Sequence, residues 1–198
     1  MTKQPLSRAR YTAYVIILIC ACILLYLFYA RDMRFFLVPT SSMRPTFQAR
    51  DYILTLNAND YERGDVVVIR DPVDLNQYMV KRVVGVGGDE VMVWQGALFV
   101  NGSYVSEPYT LEPYIEYQMA PYTVPEHHVF LLGDNRNQSE DSSTWSEPGQ
   151  PTERVVGRVH AIYLPFNRMR LVSPYPFTVL PEGDIGAGDQ AAPEGGQG

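Results

Sequence analysis

The stretch RGDVVVIRDPVDLNQYMVKRVVGVGGDEVMVWQGALFV, residues 63–100, decides the fold. Its apolar residues come in short, β-branched runs, each closed by turn residues, which is the pattern of strands rather than helices. Asp65–Arg70 and Tyr78–Val86 read as strands, the first entered through Glu62-Arg63-Gly64 and the second closed by Gly87-Gly88. Glu90–Trp94 and Ala97–Val100 meet through Gln95-Gly96 as a hairpin. Outward from this block, Asp51–Asn57, His128–Leu132 and Arg158–Leu164 read as further strands. The stretch Glu107–Pro125, with four prolines, reads as a meandering loop and extended edge. No amphipathic helix of ordinary length follows residue 30. The expected fold class is mainly β, an antiparallel sheet or barrel-like domain after one N-terminal transmembrane helix.

That helix is expected at residues 11–30, YTAYVIILICACILLYLFYA, which hold no charge. Twenty residues at ~1.5 Å each give ~30 Å, the thickness of a bilayer's hydrocarbon core. A cleavable signal peptide has a shorter apolar core of ~7–15 residues and a small-x-small exit. Here the exit is Arg31, Asp32, Arg34, Phe35 and Phe36, so a retained anchor is the better reading. Lys3, Arg8 and Arg10 outweigh Arg31 and Arg34 offset by Asp32, which predicts a cytoplasmic amino terminus and a body on the extracytoplasmic side of the plasma membrane. The expected division is a stub at 1–10, the anchor at 11–30, a β-rich domain at 31–179 and a Gly/Pro-rich acidic tail at 180–198, too polar to order itself.

A chain of 198 residues has room for one ordinary domain plus extensions, and no room for a second, nucleotide-binding half. Apolar residues make up 46% of it, including 14 Tyr and 8 Phe, which excludes wholesale disorder. The net charge of −6 divides into +3 over the first ten residues and −9 over the rest. A body of that sign repels phosphate backbones, so nucleic acid is excluded as a general partner. Cys20 and Cys22 both lie in the apolar run and cannot staple the body.

Two of the 16 basic side chains are lysines, and only Lys81 lies in the body, within the apolar run YMVKRVVGV. Alternation along a strand sets Met79, Lys81 and Val83 on one face and Val80, Arg82 and Val84 on the other. Arg stays charged in a protein, whereas a desolvated Lys loses its proton readily and then serves as a base. The bland alternative is a packed stem with a head that snorkels to solvent. A nucleophile is available in Pro39-Thr40-Ser41-Ser42-Met43-Arg44-Pro45-Thr46-Phe47, although hydroxyls beside prolines are also ordinary turn chemistry. His127, His128 and His160 stand in no nucleophile or metal motif, and Ser with Lys is a known variant of the Ser-His pair. The polar run 133–143, GDNRNQSEDSS, follows a strand directly and suits either a solvated loop or a shell of orienting groups. The triplets at 101–103 and 137–139 match a glycosylation acceptor pattern that chance often produces.

Four stretches in this order, VPTSSMRPTF (38–47), RGDVVVI (63–69), YMVKRVVGVGGDEV (78–91) and GDNRNQSEDS (133–142), resemble the type I signal peptidases, membrane-bound Ser/Lys proteases that remove signal peptides. The resemblance spans roughly residues 36–159. It implies Ser42 as nucleophile, since the family's serine precedes Met, and Lys81 as general base followed by the basic Arg82. It implies that Ser139 holds the lysine, that Asp134, Arg136 and Asp141 buttress the loop, and that the Ser42 N–H and Thr40 hydroxyl form the oxyanion hole. Pockets for small residues would be lined by Phe36, Val38, Pro39, Met43, Phe47, Met79 and Val80. The substrates implied are secretory preproteins cut after A-x-A sites through an acyl-enzyme, beside membrane lipid, with no metal or cofactor. Ser143 departs from the pattern, because many members carry an arginine there that pairs with the acid at 141. Two rival readings are a self-cleaving repressor, which would have a DNA-binding domain in place of the anchor, and a tethered β domain that only binds a partner.

Overall fold

The structure, a computed structural model, describes residues 8–30, 33–176 and 178–180. The expected tail beyond 180 and the first seven residues of the stub lie outside the described residues. Among the described residues a single α-helix, α1 (Arg8–Ala30), starts three residues before the apolar run. Its Arg8–Tyr26 portion has mean hydropathy 1.9, so it is long and apolar enough to cross a membrane.

The body is antiparallel β throughout its described part, in two sheets. The larger sheet runs β1 (Arg34–Leu37), β2 (Tyr52–Leu56), β11 (Val155–Leu164), β3 (Val66–Arg70), β4 (Tyr78–Val86), β9 (His128–Leu132) and β10 (Gln150–Pro151), with β12 (Arg170–Leu171) beside β11. The smaller runs β13 (Thr178–Leu180), β7 (Ser103–Ser106), β6 (Ala97–Val100), β5 (Glu90–Trp94) and β8 (Met119–Thr123). Both faces of the larger sheet are buried at its centre, along β3 and β4. Val66 and Val68 of β3 join Met43, Phe47 and Ile53 in one cluster, while Val67 and Ile69 join Val83 and Leu131 in another. The third cluster, with Val84, Val91 and Phe130, joins the two sheets. Each such side chain contributes ~1.5–3 kcal/mol when fully buried, so β3 and β4 could not be moved by one residue without exposing one set of valines.

The hairpin at 94–97 forms as read: Gln95 and Gly96 both take positive φ, 48° and 81°, and Trp94 pairs with Ala97. Three readings need correction. Met119–Thr123 is a regular strand, able to hold Pro121 because it pairs only with β5 at the edge of its sheet. The strand expected at 158 begins at Val155. Asn101-Gly102, read only as part of an acceptor triplet, is the turn of a second hairpin with φ of 54° and 75°, pairing Val100 with Ser103.

Candidate active site

The loop after β1 is held from below. Val38, Met43 and Phe47 are buried in the first cluster, the Phe47 N–H donates to the Met43 carbonyl at 2.8 Å and the Arg44 N–H donates to the Ser41 carbonyl at 3.1 Å. With these apolar side chains turned in, Thr40 and Ser41 stay exposed and Ser42 half-buried. The Ser42 Oγ lies 3.2 Å from the Thr40 Oγ1. Among the described residues the Ser42 N–H has no hydrogen-bond partner. A hydroxyl and a free backbone donor at one residue are the elements that acyl transfer needs.

Lys81 is 1% exposed on β4. Val67 stands opposite it in the register with β3, and every residue from Val80 to Val84 is buried. Its Nζ donates to the Ser139 Oγ at 2.8 Å. Loss of hydration lowers the amine's pKa to about 8, against the opposing pull of the Asp141, Glu140, Asp134 and Asp71 carboxylates. Ser42 and Lys81 line the same cavity, of about 230 Å³. They are not hydrogen-bonded to each other: Ser42 Oγ faces Thr40 and Lys81 faces Ser139.

The loop 133–143 joins the two groups. A Cβ built on Gly133 would stand 2.3 Å from the Ser139 Oγ and 2.5 Å from the Ser42 carbonyl, so no side chain fits there. The Gly133 N–H donates to the Asp141 Oδ2 at 2.9 Å. The other oxygen of Asp141 accepts from the Ser143 Oγ at 2.7 Å and the Ser143 N–H at 3.1 Å, so Ser143 meets this acid with uncharged donors. Asp134 receives two bonds from Arg82, at 2.8 and 2.7 Å, and one from the Thr46 hydroxyl. Arg136, wholly buried, donates to the Gly133 carbonyl at 2.9 Å and twice to Glu107 at 2.6 Å, and this nearby carboxylate holds its pKa above the usual guanidinium value despite burial. The ring of Tyr109 lies under the Arg82 guanidinium at 4.0 Å.

With this geometry in view, the sequence matches the signal peptidase, peptidase S26 family over residues 9–164. The chain belongs to the S26 signal peptidase family. It is 36% identical over 146 residues to the "Probable signal peptidase I-2" of Synechocystis sp., covering 69% of this chain and 65% of that relative. To the signal peptidase I of Leptolyngbya laminosa it is 33% identical over 151 residues, 70% of this chain and 72% of the relative. The chain thus spans about two thirds of the length of these relatives. A crystal structure of a signal peptidase I from Enterococcus faecalis V583 aligns with a TM-score of 0.45 and 25% identity, over 52% of this chain and 98% of that one.

The structure separates the residues expected around the cavity of this S26 chain. Val38, Pro39, Met43, Met79 and Val80 line it, whereas Phe36 and Phe47 do not. Phe47 is wholly buried beneath the loop, and Phe36 packs on the Tyr78 ring with centroids 5.1 Å apart. The remaining walls are polar, from Asp71, Gln77, Gln138 and Glu140. Two side chains went unread in the sequence. Glu107, the partner of Arg136, sits in a proline-rich stretch with nothing local to mark it. Asn135 lay in plain view in the polar loop, but its backbone bonds to the Ser42 segment depend on tertiary contact.

Proposed function

We propose that this chain is a membrane-bound serine endopeptidase that removes N-terminal signal peptides from secretory preproteins, cutting after small residues of the A-x-A type. Ser42 is its nucleophile and Lys81 its general base. The observation that carries this reading is a buried amine with a pKa of about 8 lining the same cavity as the Ser42 hydroxyl. A neutral amine can donate to Ser139 and still turn its lone pair toward Ser42, a contact that often tightens only with substrate bound.

In the first step the Ser42 Oγ forms a bond to the scissile carbonyl carbon while its proton passes to the Lys81 Nζ. The Ser42 N–H and the Thr40 hydroxyl receive the oxyanion; removal of one such donor typically costs ~3–4 kcal/mol in the barrier. The Lys81 ammonium then returns the proton to the leaving nitrogen as the C–N bond breaks, and the mature protein departs with a new amino terminus. Water gives a proton to Lys81 and its oxygen attacks the ester. Ser42 recovers the proton as the signal peptide leaves as a carboxylic acid, which gives its own proton to solvent. Val38, Pro39, Met43, Met79 and Val80 offer a shallow apolar wall that suits small side chains before the cut. Ser139 holds the amine in place, with Asp134, Arg136 and Asp141 behind it.

The apolar α1 and the basic residues before it support the reading of an anchor with a cytoplasmic amino terminus and a body beside membrane lipid on the outer side. The decisive experiment incubates detergent-solubilised protein with a secretory precursor and maps the new amino terminus. Ser42→Ala and Lys81→Ala should each reduce cleavage by at least ~10³-fold with the fold intact. Lys81→Arg should be as inactive, since it keeps charge and loses basicity. Processing at the normal rate by that variant would remove Lys81 from the mechanism.

A further inference from the structure

Asn135 is 1% exposed and lies at the base of the candidate site. Its backbone N–H donates to the Ser42 carbonyl at 3.0 Å, and its side-chain Nδ2 donates to the Ser41 carbonyl at 3.3 Å. These two carbonyls belong to the peptide units on either side of the Ser42 Cα, so one residue restrains both. The unit that precedes Ser42 is planar and trans, with the Ser41 carbonyl and the Ser42 N–H pointing in opposite directions. A donor that fixes the carbonyl therefore fixes the direction of the N–H. A hydrogen bond to the carbonyl also polarises the N–H and strengthens it as a donor. The Oδ1 of the same amide is buried and has no hydrogen-bond partner among the described residues, so the side chain's fixed bonding in this loop runs through its nitrogen.

We infer that Asn135 is a positioning residue for the oxyanion hole, aiming the free Ser42 N–H by tethering the carbonyl at the far end of its peptide unit. This rests on the Ser42 mechanism proposed above. The role differs from that of Ser139, Gly133 and Asp141, which act on the lysine side of the site. Loss of the tether should weaken stabilisation of the oxyanion and leave ground-state binding and the Lys81 amine unchanged. The Arg44 N–H also donates to the Ser41 carbonyl, so the peptide keeps one restraint and the loss should be partial.

The test uses the full-length protein in detergent with a precursor-derived peptide, a matching peptide aldehyde that forms a hemiacetal on Ser42, and the corresponding peptide alcohol, which cannot. Asn135→Leu keeps nearly the shape and removes the donor without adding a charge, and Asn135→Ala reads the same loss if the Leu variant does not fold. Complete removal of an oxyanion donor lowers kcat ~10²–10³-fold, so the expected fall is about tenfold or more, with KM nearly unchanged. Aldehyde affinity should fall by the same factor, alcohol affinity should hold, and the acid limb of the pH profile should stay in place. Unchanged kcat and aldehyde affinity in a folded variant would overturn the inference. So would equal weakening of aldehyde and alcohol together with a lowered Tm, the signature of a merely structural residue. Indifference of the parent protein to the aldehyde, with full cleavage by Ser42→Ala, would instead overturn the mechanism on which the inference rests.

Discussion

Burial of Lys81 acts on chemistry and stability through the same proton. Desolvation lowers the pKa to about 8 from 10.5, so near neutral pH only a minority of molecules carry the neutral base. The expected outcome is a kcat/KM that climbs about tenfold per pH unit below 8 and levels off above it, read from initial rates between pH 6 and 10. A Ser139→Ala variant should move that midpoint, because the hydroxyl is the amine's hydrogen-bond partner among the described residues. The stability consequence follows from linkage. Between pH 8 and 10.5 the unfolded chain holds more protons on this amine than the folded one, so unfolding free energy rises with pH across that window. Below it the folded state carries a buried ammonium at a cost of about 3 kcal/mol. Lys81→Met should therefore abolish cleavage yet raise the Tm near pH 7, and its advantage over the parent should shrink as pH approaches 10.5. An advantage independent of pH would show that the amine is not the source.

Between elements, the loop 133–143 is tied to the smaller sheet through Arg136 and Glu107, which follows β7. Both side chains are nearly inaccessible, at 0% and 9% exposure. Removing one partner of a buried pair typically costs ~3–5 kcal/mol, whereas replacing both by apolar groups costs far less. Glu107→Ala should lose stability of that order in urea unfolding, and the Glu107→Leu/Arg136→Met pair should lose less than the sum of its single changes. An additive result would mean that the two charges do not act as a unit. This pair also marks where the sequence stops being legible. The strands β3, β4, β5 and β6 were readable at their ends because β-branched runs and turn residues are local signals. Lys81 was conspicuous because a lone lysine in an apolar strand contradicts its surroundings. Ser139, Asp134 and Arg136 were reachable only through resemblance, since a polar loop after a strand has many ordinary uses. Glu107 and Asn135 stayed hidden because their partners are 29 and 94 residues away. The second hairpin differs: Asn101-Gly102 is a local turn signal, but with Ser103 it also fits a glycosylation acceptor triplet, so the same residues support two readings.

At the scale of the whole molecule, one helix and one β body divide the work of location and chemistry. The body's acidic balance of −9 over residues 31–198 contrasts with the +3 of the first ten residues, on opposite sides of the apolar run. An α-helix of 23 residues extends ~35 Å, enough for a bilayer core with some tilt. In the proposed topology helix α1 sets depth, and the flanking bases set direction. The strand β1 starts at Arg34, four residues after α1 ends, and Val38 and Pro39 in the cavity wall come directly after β1. So short a connection keeps the cavity close to the membrane surface on whichever side the body lies. Under the proposed function, a precursor held by its own apolar segment in the same bilayer would meet the site without leaving the membrane, which would raise its effective concentration. Orientation is the part of this arrangement open to direct test. If Lys3, Arg8 and Arg10 hold the amino terminus in the cytoplasm as proposed, protease added outside spheroplasts should digest the body of the parent protein. Replacement of all three by Glu should leave a protease-protected fraction and lower precursor processing in proportion, since inverted molecules present the site to the wrong compartment. Full digestion and full processing by that variant would show that the stub's charge does not set direction, and that the folding body does.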